Sequence, residues 1–443
     1  MLVLYALFCL IYSALLSGIA CSYTFWVGDE QLFYVLIGIF IFINFFAGTG
    51  FCRSRRFRQR VCQHGAALLL AFELSLIVAI VYHIVMATRI LPENYPVFIR
   101  SITACLVVEM IVFWNGIICV YLTSYELGLW QRVIGILCGF VPILNLVMMN
   151  KILWTASKEV YLEGRKERLN RSRKKQKLCR TKYPILLVHG VFFRDMKYFN
   201  YWGRIPRELK YHGATIYYGN HQSARAVADS AQELTDRVEQ IIAETGCEKV
   251  NIIAHSKGGL DCRYAIAKLG MGQYVASLTT VNTPHRGCVY ADHLLREITP
   301  EYQEMVAQKY NDTMKRIGDS DPDLLAAVND LTASACEKFN EEISFVPDGI
   351  YCQSVGSVQK KAAGGRFPLN VVYHIVKMYD GENDGMVSTT SFPWGEKFTL
   401  LTPTEEQGIT HSDVTDLTRR NLKGFDVREF YVQLVNQLKD RGL

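Results

Sequence analysis

Four apolar runs, residues 2–20, 32–47, 66–87 and 97–122, crowd the amino-terminal end of this 443-residue chain. Each reaches the roughly 20 residues a helix needs to cross a hydrocarbon layer, the second only with its flanks. A fifth run, 133–149, is interrupted by Gly135, Gly139 and Pro142. Runs of this kind satisfy their backbone in lipid as helices, so residues 1–155 are expected to form an all-α transmembrane domain. Half of the whole chain is hydrophobic, and the excess lies in this part. Residues 183–443 have ordinary globular composition.

Charge orders the spans. The segment "CRSRRFRQR" at 52–60 packs five arginines between the second and third runs, and such loops stay on the cytoplasmic side. Residues 156–182 form a basic linker, with eleven Lys/Arg against three Asp/Glu. A basic collar after apolar spans suits anionic lipid headgroups or a solvated, disordered tether; no nucleic acid partner is expected. If the fifth run crosses, the collar and the following half lie outside, against the charge rule; if it is re-entrant or lies in the interface, both basic segments lie inside. The expectation is an integral protein of the plasma membrane whose remaining half is cytoplasmic. Glu73, His83, Arg100 and Glu109 lie in or beside the spans, where ionisable groups are costly; hydrogen bonding between helices accounts for them as well as a transport role does. The thirteen cysteines show neither CxxC pairs nor a disulfide framework and read as free thiols.

From Tyr183 strand and helix signals alternate. "YPILLVHG", "ATIYYGN", "KVNIIAHS", "VASLTTVNTP", "GIYCQSVGSV" and "VVYHIVKMY" read as strands. Helical spacing marks 223–245, with Ser223 as N-cap, and 257–270. The pattern predicts an α/β domain with a mostly parallel sheet, and functional groups beyond the carboxyl ends of its strands. In Ala254-His255-Ser256-Lys257-Gly258 a serine stands between a strand and a helix, flanked two places away by small residues. A sharp turn there would push the hydroxyl clear of the sheet, and larger flanking side chains would collide. Ser256 is therefore the candidate nucleophile. Charge developing on an attacked carbonyl oxygen needs fixed donors, and the backbone N–H groups of Lys257 and of Val191, after "VHG", are placed to supply them.

A base and its orienting acid should follow in the order acid, then histidine. Of ten histidines, His64 and His83 belong to the apolar half, and His189 and His255 to the turns just described. His212, His221, His285 and His293 precede the acid, and His374 falls in a predicted strand. His411, in a loop after the strand-like "KFTLLT", is the candidate base. "YDGENDGMVS" offers Asp380, Glu382 and Asp384; Asp384 is the choice and Asp380 the runner-up.

The segments "PILLVHG", "AHSKGG", "VNTPHRG" and "NDGMVS" followed by a histidine resemble bacterial triacylglycerol lipases of the α/β-hydrolase fold. The resemblance covers about 184–413 and none of the apolar half. It implies a Ser256, Asp384, His411 triad, Val191 and Lys257 as oxyanion donors, and a helical lid at about 288–348. Many such lipases hold a structural calcium beside the histidine loop, and Asp413 matches one ligand. The second acid has no counterpart between Ile350 and Tyr379, so no cofactor is expected to be required. The combined reading is a membrane-anchored serine hydrolase cleaving carboxylic esters, with membrane lipids as surroundings and a lipid ester as substrate. A lipid acyltransferase, and a non-catalytic hydrolase-like domain of a membrane scaffold or transporter, stay open as alternatives.

Overall fold

The computed structural model describes residues 7, 8, 11, 12, 15, 30–45, 52, 54–89, 93–139, 141–192, 200–344, 348–402 and 406–443. The chain forms two compact units, Met1–Ser172 and Arg173–Leu443. The first expected run lies largely outside the described residues.

The amino-terminal unit holds α1 (Glu30–Phe45), α2 (Phe57–Arg89), α3 (Tyr95–Thr123), α4 (Leu129–Cys138) and α5 (Pro142–Arg173). Only α2 and α3 are both long and apolar enough to cross a membrane among the described residues. They leave Ile77, Ile84, Leu106 and Met110 exposed, an outward apolar face that water does not favour. The fifth run is broken: α4 and α5 are separate helices, because Pro142 lacks the N–H that a continuous helix would need there. The expected linker is also different. Residues 156–173 continue α5, since Glu159, Glu163 and Glu167 share one face and meet the arginine segment. Glu159 pairs with Arg58 at 3.0 Å, Glu163 with Arg56 at 3.3 Å, and Glu167 accepts from the Ser54 hydroxyl at 2.6 Å. Glu159 also accepts from the Ser124 hydroxyl, 2.7 Å away, just past α3. The arginine segment, the end of α3 and the 159–167 stretch thus meet at one end of this unit. Inside it, Asn150 donates to Glu73 at 2.8 Å, Ser75 to Glu109 at 3.0 Å, and His83 lies 3.1 Å from Ser101, so these ionisable residues serve as hydrogen-bond partners between helices. Arg100 is exposed.

The carboxyl-terminal unit is built on β1 (Ile185–Val188), α6 (Ile205–Tyr211), β2 (Ile216–Tyr218), α7 (Val227–Thr245), β3 (Val250–His255), α8 (Lys257–Lys268) and β4 (Val275–Val281). An insert of four helices follows: α9 (Val289–Glu297), α10 (Pro300–Arg316), α11 (Leu324–Asn329) and α12 (Ala333–Glu342). The chain ends with β5 (Tyr351–Ser357), α13 (Leu369–Asp380), β6 (Lys397–Leu401) and α14 (Val427–Asp440). The six strands form one parallel sheet in the order β2-β1-β3-β4-β5-β6. Successive side chains of a strand point to opposite faces. Accordingly Ile185 and Leu187 join a core with Ile205, Leu209 and Val435, whereas Leu186 and Val188 join Leu234, Val238 and Ala265 on the other side. A sheet covered on both faces needs such continuously apolar strands.

Two local expectations fail here. "VVYHIVKMY" is helix α13, not a strand: Leu369, Tyr373 and Val376 are buried at helical spacing, a period masked by the β-branched residues between them. Ser223 is not the N-cap of α7, which starts at Val227 and has its first N–H taken by the Asp330 carboxylate at 2.6 Å. Ser223 instead bonds Asp319 of the insert through its N–H, 3.1 Å, and its hydroxyl.

Candidate active site

Ser256 directly follows β3 and precedes α8, with φ 54° and ψ −132°. Positive φ is costly for a residue with a side chain, and its persistence in a turn this tight marks stored strain. Close approach of neighbouring backbone makes the turn possible. A Cβ on Gly258 would stand 2.4 Å from the His189 carbonyl oxygen, and one on Gly190 would stand 2.7 Å from the Ser256 Cβ. The Ser256 N–H is held by the Val281 carbonyl at 2.9 Å, and its carbonyl accepts from the Thr283 hydroxyl at 2.8 Å. The elbow is thereby fastened to the end of β4.

The β1 turn faces it. The N–H groups on either side of Val191 are committed, Gly190 to the Tyr201 hydroxyl at 3.3 Å and Phe192 to the Ser223 carbonyl at 3.2 Å, which fixes the peptide plane carrying the Val191 N–H. Tyr201 also lies 2.6 Å from His255 Nδ1. Burial, and next the neighbouring His411, hold His255 well below the usual imidazole range, so it stays neutral and accepts from the phenol. Lys257, the other candidate donor, buries its ammonium 2.6 Å from Asp261 and 3.1 Å from Ser230. Burial raises the Asp261 carboxyl against the opposing pull of Lys257. This pairing lets a lysine sit at the amino end of α8, where the helix dipole disfavours a cation.

His411 carries its Nδ1 2.6 Å from Asp384 Oδ2, and its backbone N–H donates to the Asp384 carbonyl at 2.8 Å. Asp384 is wholly buried. It accepts further bonds from Met386 N at 2.9 Å, Val387 N at 2.8 Å and the Asn282 amide at 2.6 Å. Asp380, the runner-up, is used elsewhere: its carboxylate takes the N–H groups of Val289 and Tyr290 at 2.9 and 2.8 Å, capping the start of the insert. Ser256 and His411 both line one cavity of about 700 Å³, with Val191 beside them and helices of the insert supplying much of its wall.

The Asp413 carboxylate is engaged by its own neighbours. It accepts from Thr410 and pairs with Arg420 at 3.0 Å, and that guanidinium also donates to the Gly364 carbonyl at 2.9 Å. Among the described residues no cluster of three or more His, Cys, Asp or Glu could hold a metal. The surroundings of Asp413 therefore do not fit calcium. A second clamp holds the same loop, with Arg204 Nε and backbone N–H on Asp416 Oδ2 at 2.8 and 2.7 Å and Arg204 Nη2 on Oδ1 at 2.7 Å.

Sequence reading passed over Asn282, Tyr201, Arg204 and Asp416. Asn282 had one available signal, its place at the carboxyl end of a parallel strand. The other three act across more than 50 residues of chain and carry no local pattern.

A parallel sheet with a strained serine elbow after its third strand in chain order, and a buried Asp–His pair whose histidine lines the same cavity as that serine, give the carboxyl-terminal unit the arrangement of an α/β-hydrolase fold. By sequence this unit is similar to lipases and to one thioesterase family. A family model described as palmitoyl protein thioesterase matches residues 184–322. A triacylglycerol lipase of Pseudarthrobacter phenanthrenivorans is 38% identical over 173 residues, which cover 36% of this chain and 53% of that relative, so the match spans about half of its length. A triacylglycerol lipase of Vibrio cholerae is 29% identical over 295 residues, 60% of this chain and 91% of the relative. Among solved structures, the mature lipase of Bacillus licheniformis aligns with a TM-score of 0.43 at 19% identity, over 58% of this chain and 92% of that one.

Proposed function

We propose that the carboxyl-terminal unit is a serine hydrolase of carboxylic esters with lipid-derived acyl groups. One observation carries this reading: Ser256, on its elbow, shares an apolar cavity with His411, whose far nitrogen is held by Asp384 at 2.6 Å. His411 Nε2 takes the Ser256 proton as Oγ attacks the carbonyl, and the N–H groups of Val191 and Lys257 meet the oxyanion. The imidazolium then protonates the leaving oxygen, and water repeats the sequence on the acyl-enzyme to release the acid. The wild-type protein in detergent should cleave p-nitrophenyl butyrate and take up a fluorophosphonate probe, and Ser256→Ala should do neither. Equal labelling of the variant would refute the assignment.

The same proposal sets the amino-terminal unit in the membrane, with α2 and α3 spanning it and the arginine segment on the cytoplasmic face. The ion pairs from 159 and 163 to that segment support one side for both basic stretches. A cysteine introduced between 165 and 177 should therefore resist an impermeant maleimide in intact cells and react once they are permeabilised. Reaction in intact cells would reverse the orientation.

A further inference from the structure

Resting on the ester-hydrolase reading, we infer that Tyr201 and His255 are positioning residues for the base: the phenol fixes the tautomer of His255, and that ring holds His411 where its Nε2 can reach Ser256.

Asp384 grips His411 at Nδ1, 2.6 Å away, and at its backbone N–H, 2.8 Å from the Asp384 carbonyl. The imidazole can still rock about that edge, and a swing of about 1 Å at the far nitrogen costs on the order of 10²-fold in rate. His255 supplies a second contact. Its ring centroid lies 4.5 Å from that of His411, with the planes inclined by 55°. His255 is also the last residue of β3, paired in register with Val281 of β4, and Ser256 follows it directly. The support for the base and the nucleophile are thus neighbours on one fixed strand end, so the distance between base and nucleophile is set by the sheet.

A neutral imidazole has one proton and two nitrogens, and here the tautomer is chosen from outside. The Tyr201 hydroxyl accepts from the Gly190 N–H at 3.3 Å, which leaves its own proton for His255 Nδ1 at 2.6 Å. The ring proton of His255 therefore sits on Nε2. That nitrogen is buried without a partner at ordinary hydrogen-bond distance among the described residues. The backbone of His411 is the one neighbour that favours a proton on this ring, as a carbonyl facing an N–H does. Such bonds are often long before substrate arrives and tighten in the complex. The other tautomer would turn a bare lone pair to the same carbonyl. Neutrality matters as well: His411 becomes a cation when it takes the serine proton, and a second cation 4.5 Å away would oppose that step.

The test uses the full-length protein in detergent, with working sites counted by fluorophosphonate titration carried to completion and turnover of p-nitrophenyl butyrate expressed per titrated site. Tyr201→Phe keeps the ring and removes the hydroxyl. Its kcat per site should fall about tenfold while KM stays within about twofold. A purely structural role would lower the number of titrated sites and leave kcat per site alone. His255→Phe should lose at least as much, and adding Tyr201→Phe to it should cost less than about twofold more, because the hydroxyl acts through that ring. A Tyr201→Phe kcat within about twofold of wild type, a loss confined to KM or to the site count, or additive losses in the double variant would each overturn the inference. Should His255→Phe not accumulate, Tyr201→Phe decides alone. If wild type takes up no probe and turns over no ester, the hydrolase reading fails instead.

Discussion

Asp384→Asn is expected to lower kcat on p-nitrophenyl butyrate about 10³–10⁴-fold with little change in KM. The size follows from which donors surround the group. Met386 and Val387 present N–H groups to Oδ1, so an asparagine here would keep its oxygen on that side. Its amide nitrogen would then face both His411 Nδ1 and the Asn282 amide, where Asp384 Oδ2 now accepts from each. Two donors cannot share that place. The imidazole would turn to the tautomer with Nδ1 bare and Nε2 protonated, which cannot take the Ser256 proton. Nothing changes in the cavity wall, so substrate binding should persist. Steady-state kinetics would check this, and a loss below about tenfold would mean that His411 is oriented by something else.

Arg204→Met should destabilise the carboxyl-terminal unit by about 3–5 kcal/mol, because it leaves the buried Asp416 carboxylate without its cation. At about 2–4 °C per kcal/mol for a domain of this size, Tm should fall by roughly 6–20 °C. The same loop carries His411, so activity should fall at temperatures well below the transition. Adding Asp416→Asn should return part of the stability, since no charge is then left unpaired. Thermal melts followed by intrinsic fluorescence would decide: a shift within about 2 °C would show that the clamp is not what holds the loop.

Some of this molecule can be read locally because its causes are local. Four buried apolar residues in sequence, "ILLV", make a central strand whatever surrounds them. Small residues two places either side of Ser256 permit a strained turn that larger ones would forbid. Other features failed locally because a tertiary contact outweighed propensity. Residues 371–379 are rich in Val and Ile and look extended, yet one buried face every third or fourth residue makes them helix α13. Residues 156–173 look like a solvated basic tether, yet three glutamates on one face bind the segment about a hundred positions earlier, two of them through its arginines and Glu167 through Ser54.

The sequence by itself determined the position of the elbow serine, the alternation that makes a parallel sheet, and the place where a long helical insert interrupts it. Only the folded chain decided which carboxylate stands behind the imidazole, because Asp380 and Asp384 differ by four positions and not at all in chemistry. The bend after α13 turns one toward the start of the insert and the other toward His411. Likewise, two arginines, Arg420 and Arg204, clamp the histidine loop through Asp413 and Asp416, pairings made by side chains that meet only once the sheet has set its strand order.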